Sequence, residues 1–75
     1  MYHSIEFAAE FTLDLEISPK HPLERLLIQK GTRLRAQVKP HVAETEAGPV
    51  EVADLFFEDG TVTRRVPFAW FSFVE

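Results

Sequence analysis

Ile5-Glu6-Phe7-Ala8-Ala9-Glu10-Phe11-Thr12-Leu13-Asp14-Leu15-Glu16-Ile17 places an apolar residue at every odd position, with Glu6, Ala8, Glu10, Thr12, Asp14 and Glu16 between them. A side-chain period of two is the pattern of a β-strand with one face buried. This stretch therefore predicts a long first strand in an all-β domain. Ser18-Pro19-Lys20-His21-Pro22 follows it. Each proline lacks an N–H and pushes its predecessor out of helical geometry, so the first strand is expected to stop near Ile17 and a long loop to begin.

Beyond that loop, Leu23, Leu26 and Leu27 stand at i, i+3 and i+4 after Pro22, which predicts a single helical turn. Lys30-Gly31 reads as a tight turn. It leads into a second alternating strand, with Leu34, Ala36 and Val38 on one face, Arg33, Arg35, Gln37 and Lys39 on the other, and Pro40 as its expected end. From His41 to Pro49 the composition of Ala, Glu, Thr, Gly and Pro predicts an exposed acidic loop carrying Glu44 and Glu46. Asp59-Gly60, flanked by the runs 50–57 and 61–66, is the signature of a two-residue hairpin. Counting outward from it pairs Phe57 with Val62 and Ala53 with Val66. The expected inner face is then Ala53, Leu55, Phe57, Val62 and Val66. Pro67-Phe68-Ala69-Trp70 predicts a short turn before a last aromatic strand, in which Phe73 is expected to point inward.

Long strand, long loop, strand, acidic loop, strand, tight hairpin, strand, short turn and final strand together resemble an SH3-like small β-barrel. The resemblance rests on Leu26-Leu27-Ile28-Gln29-Lys30-Gly31-Thr32-Arg33-Leu34-Arg35 as the segment leaving the first long loop. Asp59-Gly60 corresponds to the distal hairpin and Pro67-Phe68-Ala69-Trp70 to a 3-10 turn. It implies one five-stranded barrel over residues 1–75, with strand one beside strand two. The chain lacks the Ala-Leu-Tyr-Asp-Tyr type stretch and the paired tryptophans of peptide-binding SH3 domains, so recognition of proline-rich peptides is not expected. An OB-fold is the alternative architecture, but its usual helix between strands three and four has no counterpart in the Asp59-Gly60 turn.

The 75 residues are 45% apolar, with seven Phe and one Trp, enough for one small core. With no cysteine there is no disulfide, thiolate metal site or thiol nucleophile, and stability must come from packing. No signal-like or membrane-spanning run occurs, so the expectation is a soluble, cytoplasmic chain without membrane contact. His3, His21 and His41 stand in separate segments without metal-ligand spacing. Asp14 with Glu16, Glu44 with Glu46, and Glu58 with Asp59 read as a strand face, a solvated loop and a turn. Ser4, Ser18 and Ser72 lack a nucleophile-elbow context. No catalytic residue, metal or cofactor is expected.

Function is expected to be non-enzymatic: a small interaction module or accessory subunit that binds a protein partner. Its candidate surface combines His21, Arg25, Glu44, Glu46, Phe68 and Trp70: Phe56 falls on the opposite face from Phe57, and consecutive Trp70 and Phe71 cannot both enter one core through a regular strand, so Phe56, Phe68 and Trp70 are expected to form a partly exposed patch. The same patch suits self-association, or is covered by the long loop from Ser18 to Ile28. The alternative is a nucleic-acid-associated barrel using Lys30, Arg33, Arg35 and Lys39. The net charge of −4 disfavours it, as do Glu6, Glu10, Asp14 and Glu16, which are expected to face that basic stripe as ion pairs. A protein without stand-alone activity is the remaining alternative.

Overall fold

A computed structural model describes residues 1–16 and 24–74, and these form an all-β domain. The strands are β1 (His3–Phe7), β2 (Phe11–Leu15), β3 (Glu24–Ile28), β4 (Arg33–Thr45), β5 (Gly48–Phe57), β6 (Val62–Pro67) and β7 (Phe71–Phe73), with a 3-10 turn η1 (Phe68–Trp70) before the last. Five of them form one sheet in the order β6-β5-β4-β1-β7, while β2 and β3 form a separate two-stranded ribbon. A bridge between Glu16 and Val62 links the ribbon to the sheet. Among the described residues the pairings do not close into a barrel, and there are seven strands rather than five.

The long first strand is in fact two. A bend at Ala8-Ala9 breaks it, so β1 enters the main sheet and β2 the ribbon. The period of two survives the bend: Ile5, Phe7 and Leu13 are all buried, whereas Ala9 at the bend is exposed. The expected helical turn after Pro22 is instead strand β3, which pairs with β2 from Phe11↔Ile28 to Leu15↔Glu24. A short segment with apolar residues at i, i+3 and i+4 has little helix stability of its own, and β2 supplies a ladder. The stop at Ile17, the break over Ser18 to Pro22 and the position of Leu23 lie outside the described residues.

Pro40 does not end its strand. Phe7 donates to Thr32 O, and β1 pairs onward with Leu34 and Ala36, so the even-numbered N–H groups of β4 face β1. By residue 40 that side has passed the end of β1, and a proline there forfeits no ladder bond. β4 therefore runs on, and the expected acidic loop is a regular β4–β5 hairpin paired as far as Thr45↔Gly48, with Glu46-Ala47 at its tip.

The second hairpin also departs from its expected register. Phe57 donates to Thr61 O and Gly60 to Phe57 O, which makes Glu58-Asp59-Gly60 a three-residue loop with Gly60 at φ 90°. This is a type I turn followed by a left-handed glycine. Pairing near the turn is accordingly Phe56↔Val62 and Leu55↔Thr63, so Thr63 takes the inner place expected for Val62 and is only 3% exposed. A bulge then sets Arg64 and Arg65 against Asp54, with Arg65 at φ 59°, and the expected Ala53↔Val66 pair is restored.

Ile5, Phe7, Leu13, Ile28, Ala36, Ala53, Leu55, Val66 and Phe71 form the core between the main sheet and the ribbon. Phe73 is not part of it. Phe71 takes the inward place, and Phe73 is 51% exposed at the sheet end.

Candidate functional site

The alternation of β4 puts Arg33, Arg35, Gln37, Lys39 and His41 on the outer face of the sheet, opposite the core residue Ala36. The basic stripe is therefore real, but most of it has partners. Arg33 Nε donates to Glu6 Oε1 at 2.9 Å, the cross-strand pair expected of β1 beside β4. Arg35 Nε lies 3.9 Å from Glu58, and Lys39 Nζ sits 4.7 Å from the centre of the Phe56 ring. Lys30 is exposed in the turn. Asp14 and Glu16 do not face the stripe as expected. They sit on the ribbon, where Asp14 meets Arg25 at 3.5 Å and Glu16 Oε2 accepts from Arg64 Nε at 2.6 Å.

Asp54, on β5, gathers the densest set of polar contacts. Its Oδ1 lies 3.0 Å from His41 Nε2 and accepts the Arg65 backbone N–H at 3.1 Å, while its Oδ2 faces Arg64 Nη1 at 3.4 Å. Partial burial is the largest single influence and works against ionisation. The hydrogen bonds from His41 and the Arg65 amide, with the charges of His41 and Arg64, outweigh it and hold the carboxyl below the ordinary 3.8. These donors tie the Asp54 carboxylate to the Arg64-Arg65 bulge. Among the described residues no group of three or more His, Cys, Asp or Glu converges as metal ligands.

The apolar face of the sheet continues past the closed core. His3 extends the alternation of Ile5 and Phe7 backward, Val38 and Pro40 extend that of Ala36, and Phe73 that of Phe71. With Phe68 from η1 as a wall, these five residues line an open groove of about 490 Å³. The His3 and Phe73 rings meet edge to face at 5.4 Å, and Phe68 packs on Phe71 at 5.4 Å. A second hollow of about 250 Å³ lies between the ribbon and the β5–β6 turn, where Leu15, Leu26, Leu34 and Phe57 are rimmed by Arg35 and Glu58.

The structure separates the residues of the candidate protein-binding surface. Phe68 lines the groove, whereas Trp70 lies flat on Phe11 with ring centres 4.1 Å apart and planes 6° from parallel, joining the sheet to the ribbon. Arg25 is exposed on β3, and Glu44 and Glu46 sit at the far end of the β4–β5 hairpin. His21 lies outside the described residues. In the sequence His3 continues the first alternating run backward from Ile5 and Val38 continues the Leu34–Ala36 face, whereas Pro40 reads only as a strand end; that the three converge with Phe73 follows from the sheet order. No described helix is long and apolar enough to cross a membrane. Comparison with protein-family models, curated proteins and solved structures found no match to this chain.

Proposed function

We propose that this chain is a non-enzymatic interaction module of SH3-like design, which docks a protein partner in the groove between His3, Val38, Pro40, Phe68 and Phe73. The observation that carries this reading is the open, apolar groove itself. It is a concave continuation of the core face, with an aromatic side chain half exposed at its rim. Support for the SH3-like design comes from the first strand lying beside β4, from the tight β5–β6 hairpin, and from η1 immediately before the last strand. The outer face offers less to a partner, since Arg33 and Arg35 already meet Glu6 and Glu58.

Capture by the tagged chain from a lysate of its own source, at moderate and high salt, tests the reading. A stoichiometric protein should survive high salt with the unaltered chain. Pro40→Glu and Phe68→Ala should reduce its recovery at least tenfold, and charge reversal at Arg33 and Arg35 should leave it unchanged. Circular dichroism of each variant confirms that the fold persists. Recovery indifferent to Pro40→Glu and Phe68→Ala would overturn the groove. Nucleic acid retained at moderate salt, lost at high salt and abolished by the arginine reversals would move the function to the stripe.

A further inference from the structure

We propose that β7 pairs, antiparallel across a two-fold axis, with β7 of a second copy of this chain. This inference is independent of the groove's partner and rests on the sheet edge. Val74 N–H donates to Ser4 O, and Ala8 N–H donates to Trp70 O. With the register Ile5↔Phe73, Glu6↔Ser72 and Phe7↔Phe71, residues 70, 72 and 74 direct their main-chain groups at β1. The N–H and C=O groups of Phe71 and Phe73 consequently face away from the sheet, and among the described residues no strand pairs with them.

Those two positions are self-complementary. A copy related by a two-fold axis through Ser72 sets Phe71 against the other Phe73 and Phe73 against the other Phe71, so four outward main-chain bonds close symmetrically. On the core side the half-exposed Phe73 gains an aromatic neighbour. On the outer side Ser72 meets Ser72, with no like charges opposed. The other exposed strand edges carry obstacles to pairing. β3 presents Glu24 and Arg25, β6 has its bulge, Arg64, Arg65 and Pro67 and is bridged at Val62 by Glu16, the residue after β2, and the end of the β4–β5 hairpin bears Glu44, Glu46 and Glu51. β7 alone carries neither charge nor proline: Phe71-Ser72-Phe73. So short an edge forms a concentration-dependent dimer rather than a permanent one.

Ser72 provides the test, because it is exposed on the face opposite the groove, so substitutions there leave the groove intact. In the proposed pairing Ser72 and its copy form a non-hydrogen-bonded pair with Cα atoms about 4.5 Å apart, within the span of a disulfide. The chain has no cysteine, so in Ser72→Cys any cross-link is between copies at that site. Sedimentation across micromolar to millimolar concentrations should show the unaltered chain moving from 8.6 kDa toward twice that mass. Ser72→Lys should weaken the association at least tenfold. Ser72→Cys should cross-link under mild oxidation at least tenfold faster than the exposed ribbon variant Thr12→Cys. A chain that remains a monomer throughout, a dimer indifferent to Ser72→Lys, or equal cross-linking at the two cysteines would overturn the proposal.

Discussion

Asp54 holds an irregularity in place. Arg64 and Arg65 both stand opposite it, and Arg65 adopts the left-handed conformation that a bulky side chain disfavours. The Asp54 carboxylate accepts the N–H of Arg65 and faces the Arg64 guanidinium, which a further hydrogen bond ties to Glu16 on the ribbon. A carboxyl whose folded pKa lies below its unfolded value stabilises the fold above the unfolded value, and that contribution disappears as pH falls through the folded one. Asp54→Asn is therefore expected to lower stability at neutral pH by about 1 kcal/mol. The gap from the unaltered chain should close as pH drops below the ordinary value of 3.8. Urea titrations of both proteins at neutral pH and at about pH 3 measure it. A gap that stays constant with pH would mean that the Asp54 carboxyl titrates alike folded and unfolded.

At the scale of the element, the β5–β6 hairpin shows how two local departures cancel. The three-residue loop displaces the register by one, and the extra residue at the Arg64-Arg65 bulge displaces it back, so Ala53↔Val66 forms in either case. Gly60 carries the first displacement. At φ 90° it lies where a side chain is strained, although a Cβ there would meet nothing within 4 Å. Gly60→Ala should accordingly cost about 1 kcal/mol through backbone conformation alone, read as a lower urea midpoint with an unchanged slope. An unchanged midpoint would remove the need for a left-handed residue. The Asp59-Gly60 pair reveals the turn from sequence but not its length, because Asp-Gly serves both loop sizes. Alternation made the buried face of β1 and β2 legible, since Ile5, Phe7 and Leu13 follow it across the bend. Prolines misled for the opposite reason: their effect depends on which way the missing N–H would have faced, and at Pro40 that direction follows from where β1 ends. Of the groove, Phe68 was legible as a surplus aromatic. Val38, Pro40 and the outward turn of Phe73 were not, because they depend on how far the core face outruns its cover.

Over the whole molecule, the question is what keeps the ribbon on the main sheet. Among the described residues the pairing between them is one bridge, in which Glu16 N–H donates to Val62 O at 2.7 Å and Val62 N–H to Glu16 O at 3.0 Å. Leu13 and Ile28 enter the shared core, and the Phe11–Trp70 stack closes its side. Leu27 on β3 is exposed on the outer face of the ribbon, whereas Leu26, on the face of Ile28, lines the second hollow and is 42% exposed there. Few ladder bonds with much of the attachment in side chains is the condition for local opening before global unfolding. Trp70→Ala removes the stack and leaves Phe11 without its partner ring, at a cost of about 3 kcal/mol, while the β4–β5 pairing is untouched. In native-state hydrogen exchange, the amides of β2 and β3 should then lose protection well ahead of those of β4 and β5, whereas in the unaltered chain the difference is smaller. Uniform loss of protection in Trp70→Ala would mean that sheet and ribbon open as one unit. Ribbon-first loss would identify Trp70 as the fastener between them.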